Sequence, residues 1–215
     1  MARMWHNSLR SLVSLEHSRG PSAVTTKGLT VSRTRFIAQA GVIAAVYGSL
    51  TWLTLAFGGV LAWGPIQFRI SEAATVLAMF TPAAIPGLAI GSVVANLANP
   101  SAVWPISLLD VVLGSLGTLL GAAWTWRFRG RTALALLGPV VTNALIVAAY
   151  LPILLRALGL STIPGLGVSL SGAWLPLYGI CVVTIGIGEA AVVYGLGLPL
   201  LLALRRTGIA GLLGK

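Results

Sequence analysis

Residues 70–97 read ISEAATVLAMFTPAAIPGLAIGSVVANL, and how often this stretch crosses a bilayer decides the fold. It is apolar almost throughout but broken by Thr81-Pro82 and again by Pro86. A span takes about 20 residues, so 28 residues are long for one crossing and short for two. Charge decides between them. Basic residues lie in the N-terminal tail, at Arg127, Arg129 and Arg131, and at Arg205 and Arg206. Lys and Arg collect on the cytoplasmic side of a membrane protein. With the tail inside, a single crossing of 70–97 would leave the Arg127–Arg131 group outside. A passage down and back keeps all three groups inside and leaves the uncharged 99–105 outside. An even number of passes is therefore expected, as two short helices or as a re-entrant hairpin.

Working outward, the other apolar runs cover 36–57, 106–126, 133–155 and 174–204. The expected fold is an all-α integral membrane protein, a compact six-helix bundle with helices 2 and 3 short and both termini cytoplasmic. Residues 1–34 read as a polar basic tail, with the composition of a transit peptide or of a disordered cytoplasmic segment. Residues 35–206 form the membrane domain, and 207–215 a short C-terminal tail. Trp104 and Trp174 are expected at the outer interface, Trp124 and Trp126 at the inner one, where amphipathic rings settle.

Composition agrees and excludes several functions. The chain is 57% hydrophobic and 8% charged, against about 25% charged in soluble domains. The net charge of +10 does not indicate nucleic-acid binding. The basic residues flank apolar runs, and no basic stripe with interleaved aromatics occurs. The lone cysteine, Cys181, excludes an internal disulfide and a multi-cysteine metal site. It reads as a small buried hydrophobe. Both histidines, His6 and His17, lie in the tail, so no catalytic triad, metal site or cofactor is expected in the membrane part. A phosphate-binding loop needs Gly, four residues, then Gly-Lys-Ser/Thr. The only Gly-Lys is Gly214-Lys215, with Ile209 in the first glycine position. If the chain pumps, ATP is hydrolysed in a partner.

Of four acids, Glu72, Asp110 and Glu189 sit in apolar stretches. An aspartate at a helix centre costs roughly 2.5–3.5 kcal/mol on insertion scales, and an ionisable residue there marks a polar site or path by default. With the expected topology, Arg69, Glu72, Asn96, Asp110 and Tyr150 fall in the outer half, Asn143 shares a helix face with Tyr150, and Glu189 is mid-span. Arg69 and Glu72, three apart, would be neighbours on one helix face, either as a structural ion pair or as part of a site. Asp110 has no basic neighbour in its own segment and must be met by Arg69, Arg156 or a ligand. Gly114, Gly117 and Gly121 on its face permit close helix approach. Glu189, flanked by Gly186 and Gly188, reads either as a site residue or as a carboxyl fixing its helix to Asn143 or Tyr150. Ala40, Ala44 and Gly48 form a further small-residue stripe, for which internal packing is the plain alternative.

Gln67–Glu72, Phe80–Leu88, Ala95-Asn96-Leu97, Leu109–Leu119 and Gly188-Glu189 together resemble the queuosine-precursor transporter family, QueT, over about 36–206. The tail departs from that pattern. The resemblance implies a substrate-binding S component of an energy-coupling factor transporter, working with a transmembrane coupling subunit and two cytoplasmic ATPases. It implies docking of that subunit at Ala40 and Ala44. It also implies a deazaguanine substrate such as 7-aminomethyl-7-deazaguanine or queuine. The candidate contacts are Arg69, Glu72, Asn96, Asp110, Asn143, Tyr150 and Glu189, with Trp63, Phe68 or Tyr150 stacking on the ring. Two other functions are compatible with the residues: an S component for another vitamin, and a proton-coupled carrier using Glu189. An intramembrane enzyme is a poor fit without a membrane histidine.

Overall fold

A computed structural model describes residues 26–58, 68–99 and 102–207, with side chains from 33 onward. The chain divides into a unit Met1–Arg35, of which only the start of the first helix is described, and a unit Phe36–Lys215. The six expected helices are all found: α1 (Thr26–Gly58), α2 (Ile70–Met79), α3 (Ala84–Leu97), α4 (Ser115–Arg127), α5 (Thr132–Ala157) and α6 (Trp174–Val192). Stretches Arg33–Phe57, Thr132–Ala157 and Trp174–Arg206 are long and apolar enough to cross a membrane.

The 70–97 stretch forms two short helices, separated by a break that includes Thr81-Pro82-Ala83. Its first arm, α2, is a tightly wound 3-10 helix rather than an α-helix. Ser71, Glu72, Ala73, Ala74, Thr75 and Val76 are all buried, so α2 meets protein all round rather than presenting one apolar face. Small side chains permit that winding, because i and i+3 eclipse in a 3-10 helix.

Close approach of backbones sets the packing of α1 on α3. A Cβ placed on Gly87 would stand 2.7 Å from the Ala40 carbonyl, and one on Gly91 2.6 Å from the Ala44 carbonyl. The stripe Ala40–Ala44–Gly48 thus faces the glycines of α3. Lipid offers no hydrophobic drive between helices, so such close van der Waals fit is what holds them. Ala40 is buried there, while Ala44 remains half-buried. A groove of about 630 Å³ between the two helices is lined by Ala44, Gly48, Trp52, Leu53, Val94 and Ala98, among others, and is almost wholly apolar.

Helix α5 carries Pro139 and Pro152 in its interior. Pro139 has no N–H, which deprives the Ala135 carbonyl of its usual donor. The Thr125 hydroxyl of α4 donates to that carbonyl at 3.0 Å. Re-satisfying freed backbone with a neighbouring hydroxyl is what makes proline tolerable in a membrane helix. Beyond α5, residues 158–173 form a compact loop with an antiparallel bridge between Thr162 and Ser169. Ile163 and Leu170 plug it into the α5–α6 core, and the Arg156 guanidinium donates to the Leu170 carbonyl.

Two helices widen into π turns, Asp110–Gly114 ahead of α4 and Val193–Gly197 after α6, which then continues as Leu198–Arg206. Each lies beside a buried acid, Asp110 in the first and Glu189 four residues before the second. Single π turns inside helices are frequent at functional sites.

Candidate functional site

All seven residues singled out from the sequence are buried: Arg69, Glu72, Asn96, Asp110, Asn143, Tyr150 and Glu189. They form two tiers against one face of the α4 segment.

The first tier is built on Asp110. Tyr150 of α5 donates its hydroxyl to Asp110 Oδ1 at 2.7 Å. Arg69 Nη2 approaches the same oxygen at 3.8 Å. The Asn96 amide, at the end of α3, donates to the Asp110 carbonyl at 2.9 Å. Gly114 lies beneath Asp110, Tyr150 and Asn96, and a Cβ there would stand 3.0 Å from both Asp110 Oδ1 and the Tyr150 hydroxyl. The glycine of this position is the space in which the tier assembles.

The second tier holds the other two acids. The Tyr47 hydroxyl of α1 donates to Glu72 Oε1, and Thr118 of α4 reaches the same oxygen at 3.4 Å. The Asn143 amide nitrogen donates to Glu189 Oε1 at 2.6 Å, which ties α5 to α6. Asn143 also lies near the Glu72 carboxyl, so the two acids share a neighbour. A Cβ on Gly117 would stand 2.6 Å from Asn143 Oδ1. Alongside, Thr51 donates to Ser71 at 2.7 Å and fastens α1 to the start of α2.

Several expected pairings are revised. Arg69 and Glu72 do not pair along one helix. Arg69 precedes α2 in extended conformation and turns to Asp110, while Glu72 turns to Tyr47 and Thr118. The basic partner of Asp110 is thus Arg69 and not Arg156, which is engaged by the 158–173 loop. Glu189 is fastened to Asn143 rather than to Tyr150. Tyr47 and Thr118 were not anticipated. Tyr47 carried a signal, as a hydroxyl-bearing ring in the middle of an apolar span, and so did Thr118, one turn after Gly114. Phe68 is partly exposed, and Trp63 lies outside the described residues.

Three buried polar atoms of the cluster have no hydrogen-bond partner: Arg69 Nε, Glu72 Oε2 and Asn143 Oδ1. Leaving a buried polar atom unpaired costs about 1–3 kcal/mol, and more for a charged group. Their concentration in one cluster is what makes it the candidate polar site. The groove between α1 and α3 offers no such atoms, and its apolar lining suits lipid or another helix rather than a polar solute. Among the described residues, no group of His, Cys, Asp and Glu could hold a metal ion.

Comparison with known proteins adds a family. Residues 37–206 match the family described as QueT transporter. The chain is 35% identical over 89 residues, 41% of its length, to the queuosine precursor transporter QueT of Lactococcus lactis subsp. cremoris (strain MG1363). That match spans about half of the relative, 48%. No solved structure matches the chain at a significant level.

Proposed function

Because the chain belongs to the QueT transporter family, we infer that it carries a queuosine precursor across the membrane and holds it at the buried two-tier cluster. The observation that carries this reading is the trio of unpartnered atoms on Arg69, Glu72 and Asn143. They are donor and acceptor capacity withheld from the protein's own hydrogen bonding, in a cluster to which all six helices contribute polar side chains. A deazaguanine base is a flat, polar, hydrogen-bonding solute of the kind such a cluster suits. Asp110, itself fixed by Asn96 and Tyr150, faces Arg69, and Glu189 holds Asn143.

The chain acts in this reading as the substrate-binding component of an energy-coupling factor transporter. A coupling subunit and two ATPases supply the work, consistent with the absence of a phosphate loop from the sequence. The coupling subunit docks along α1, where Ala44 reaches the apolar groove and Ala40 backs it from within the bundle. Both termini face the cytoplasm, on the side of Arg127, Arg129, Arg131, Arg205 and Arg206.

Mass spectrometry of small molecules that co-purify with the protein tests the substrate. A deazaguanine base is the expected finding. Recovery of a different vitamin would replace the substrate and keep the architecture. Uptake into vesicles driven by a pH gradient without ATPase partners would instead make the chain a proton-coupled carrier.

A further inference from the structure

We propose that Arg69, Glu72 and Asn143 read one edge of a 2-amino-4-oxo ring: Arg69 Nε donates to the ring carbonyl, Glu72 Oε2 accepts the adjacent ring N–H, and Asn143 Oδ1 accepts the exocyclic amine. This deepens the transport reading above and rests on it.

Each of the three side chains is held at one end and free at the other. Glu72 gives Oε1 to Tyr47 and Thr118, which leaves Oε2. Asn143 gives its amide nitrogen to Glu189, which orients the amide and leaves Oδ1. Arg69 turns Nη2 toward Asp110 and leaves Nε. Among the fully buried polar atoms, the unpartnered set is one donor and two acceptors.

Their order follows from the packing. The Glu72 backbone N–H donates to the Arg69 carbonyl at 2.9 Å, so the two residues leave the chain one turn apart at the start of α2. On the other side Glu72 meets Thr118, and Asn143 fills the space over Gly117, the preceding residue of α4. Glu72 therefore stands between Arg69 and Asn143. The complement is an acceptor, a donor and a donor in a row, which is the C=O, N–H, NH₂ edge of a guanine-like ring. An adenine-like edge presents an amine where Arg69 donates and a ring lone pair where Glu72 accepts, and fails at both. Tyr150 commits its only donor, and Asn96 one of its two amide N–H groups, to Asp110. They are positioning residues for Arg69 rather than readers of the ring.

The test is a titration of the purified full chain, in detergent or nanodiscs, with 7-deazaguanine, 7-deazahypoxanthine and 7-deazaadenine. Loss of the amine leaves Asn143 Oδ1 unpaired and is expected to weaken binding about 5- to 150-fold. The inverted edge of 7-deazaadenine is expected to weaken it on the order of 10⁴-fold. In Asn143→Ala the preference for 7-deazaguanine over 7-deazahypoxanthine should vanish, whereas a merely structural role would weaken both alike. Equal wild-type affinity for those two bases, or a preference that survives in Asn143→Ala, overturns the assignment while leaving transport of a deazapurine intact. Failure of all three bases to bind overturns the transport reading and the assignment with it. If Asn143→Ala does not fold, the wild-type panel alone still decides.

Discussion

In Glu72→Gln the side chain keeps its shape and one oxygen, and its second oxygen becomes an amide nitrogen. The structure says which oxygen matters for what. Tyr47 and Thr118 both converge on Oε1, so the glutamine carbonyl can take that place and both interactions persist. The nitrogen then occupies the position of Oε2, which has no partner within the protein. Folding should therefore change by less than about 1 kcal/mol, the scale of a single intramolecular hydrogen bond. Binding should suffer far more, because an acceptor facing a ring N–H has become a donor. A hydrogen bond to a charged group contributes about 1.5–3 kcal/mol, which corresponds to an affinity loss of about 10- to 150-fold. The assay pairs a thermal-shift comparison of the unliganded proteins with calorimetric titration of 7-aminomethyl-7-deazaguanine. Glu72→Ala is the contrasting variant, since it also strips the acceptor from Tyr47 and Thr118 and should lose about 1–3 kcal/mol of stability. A folded Glu72→Gln protein with wild-type affinity would refute the reasoning.

Three further outcomes follow from the packing. Thr125→Val leaves the Ala135 carbonyl beside Pro139 without a donor and should lower stability by about 0.6 kcal/mol, the mean for interhelical hydrogen bonds in membranes; chemical denaturation in mixed micelles reads this. Gly91→Leu drives a side chain into the Ala44 carbonyl and should destabilise by about 1–3 kcal/mol or more; the thermal midpoint checks it. Gly117→Ala presses a methyl onto Asn143 Oδ1 and should weaken binding of an amine-bearing base more than that of its amine-free analogue, measured by parallel titration.

Much of this architecture is legible in the sequence. The proline breaks in 70–97 divide the stretch into two short helices, and α2 and α3 are those two. The three acids were conspicuous because an apolar span tolerates few, and they do converge with Arg69, Asn96, Asn143 and Tyr150. Pairing was less legible. Arg69 and Glu72 look like helix neighbours by spacing, yet Arg69 stands before the helix and reaches Asp110 instead. Such choices depend on the rotation of each helix about its axis. In a soluble bundle the apolar stripe reports that rotation; in a membrane bundle the lipid-facing side is apolar too. The π turn at Asp110–Gly114 shifts the face of α4 further, and nothing in the local composition marks it. Tyr47 was overlooked for a related reason. Its ring belongs to the apolar core, and only its hydroxyl, aimed at Glu72, belongs to the site.

The central claim is that the polar cluster, and not the apolar groove between α1 and α3, receives the substrate. An experimental structure of the protein bound to 7-aminomethyl-7-deazaguanine tests it most directly. The account predicts the base within hydrogen-bond distance of Arg69 Nε, Glu72 Oε2 and Asn143 Oδ1, with the Tyr47–Glu72 and Asn143–Glu189 contacts retained. A base seated in the groove beside Ala44 and Trp52, with those three atoms still unpaired, would contradict it.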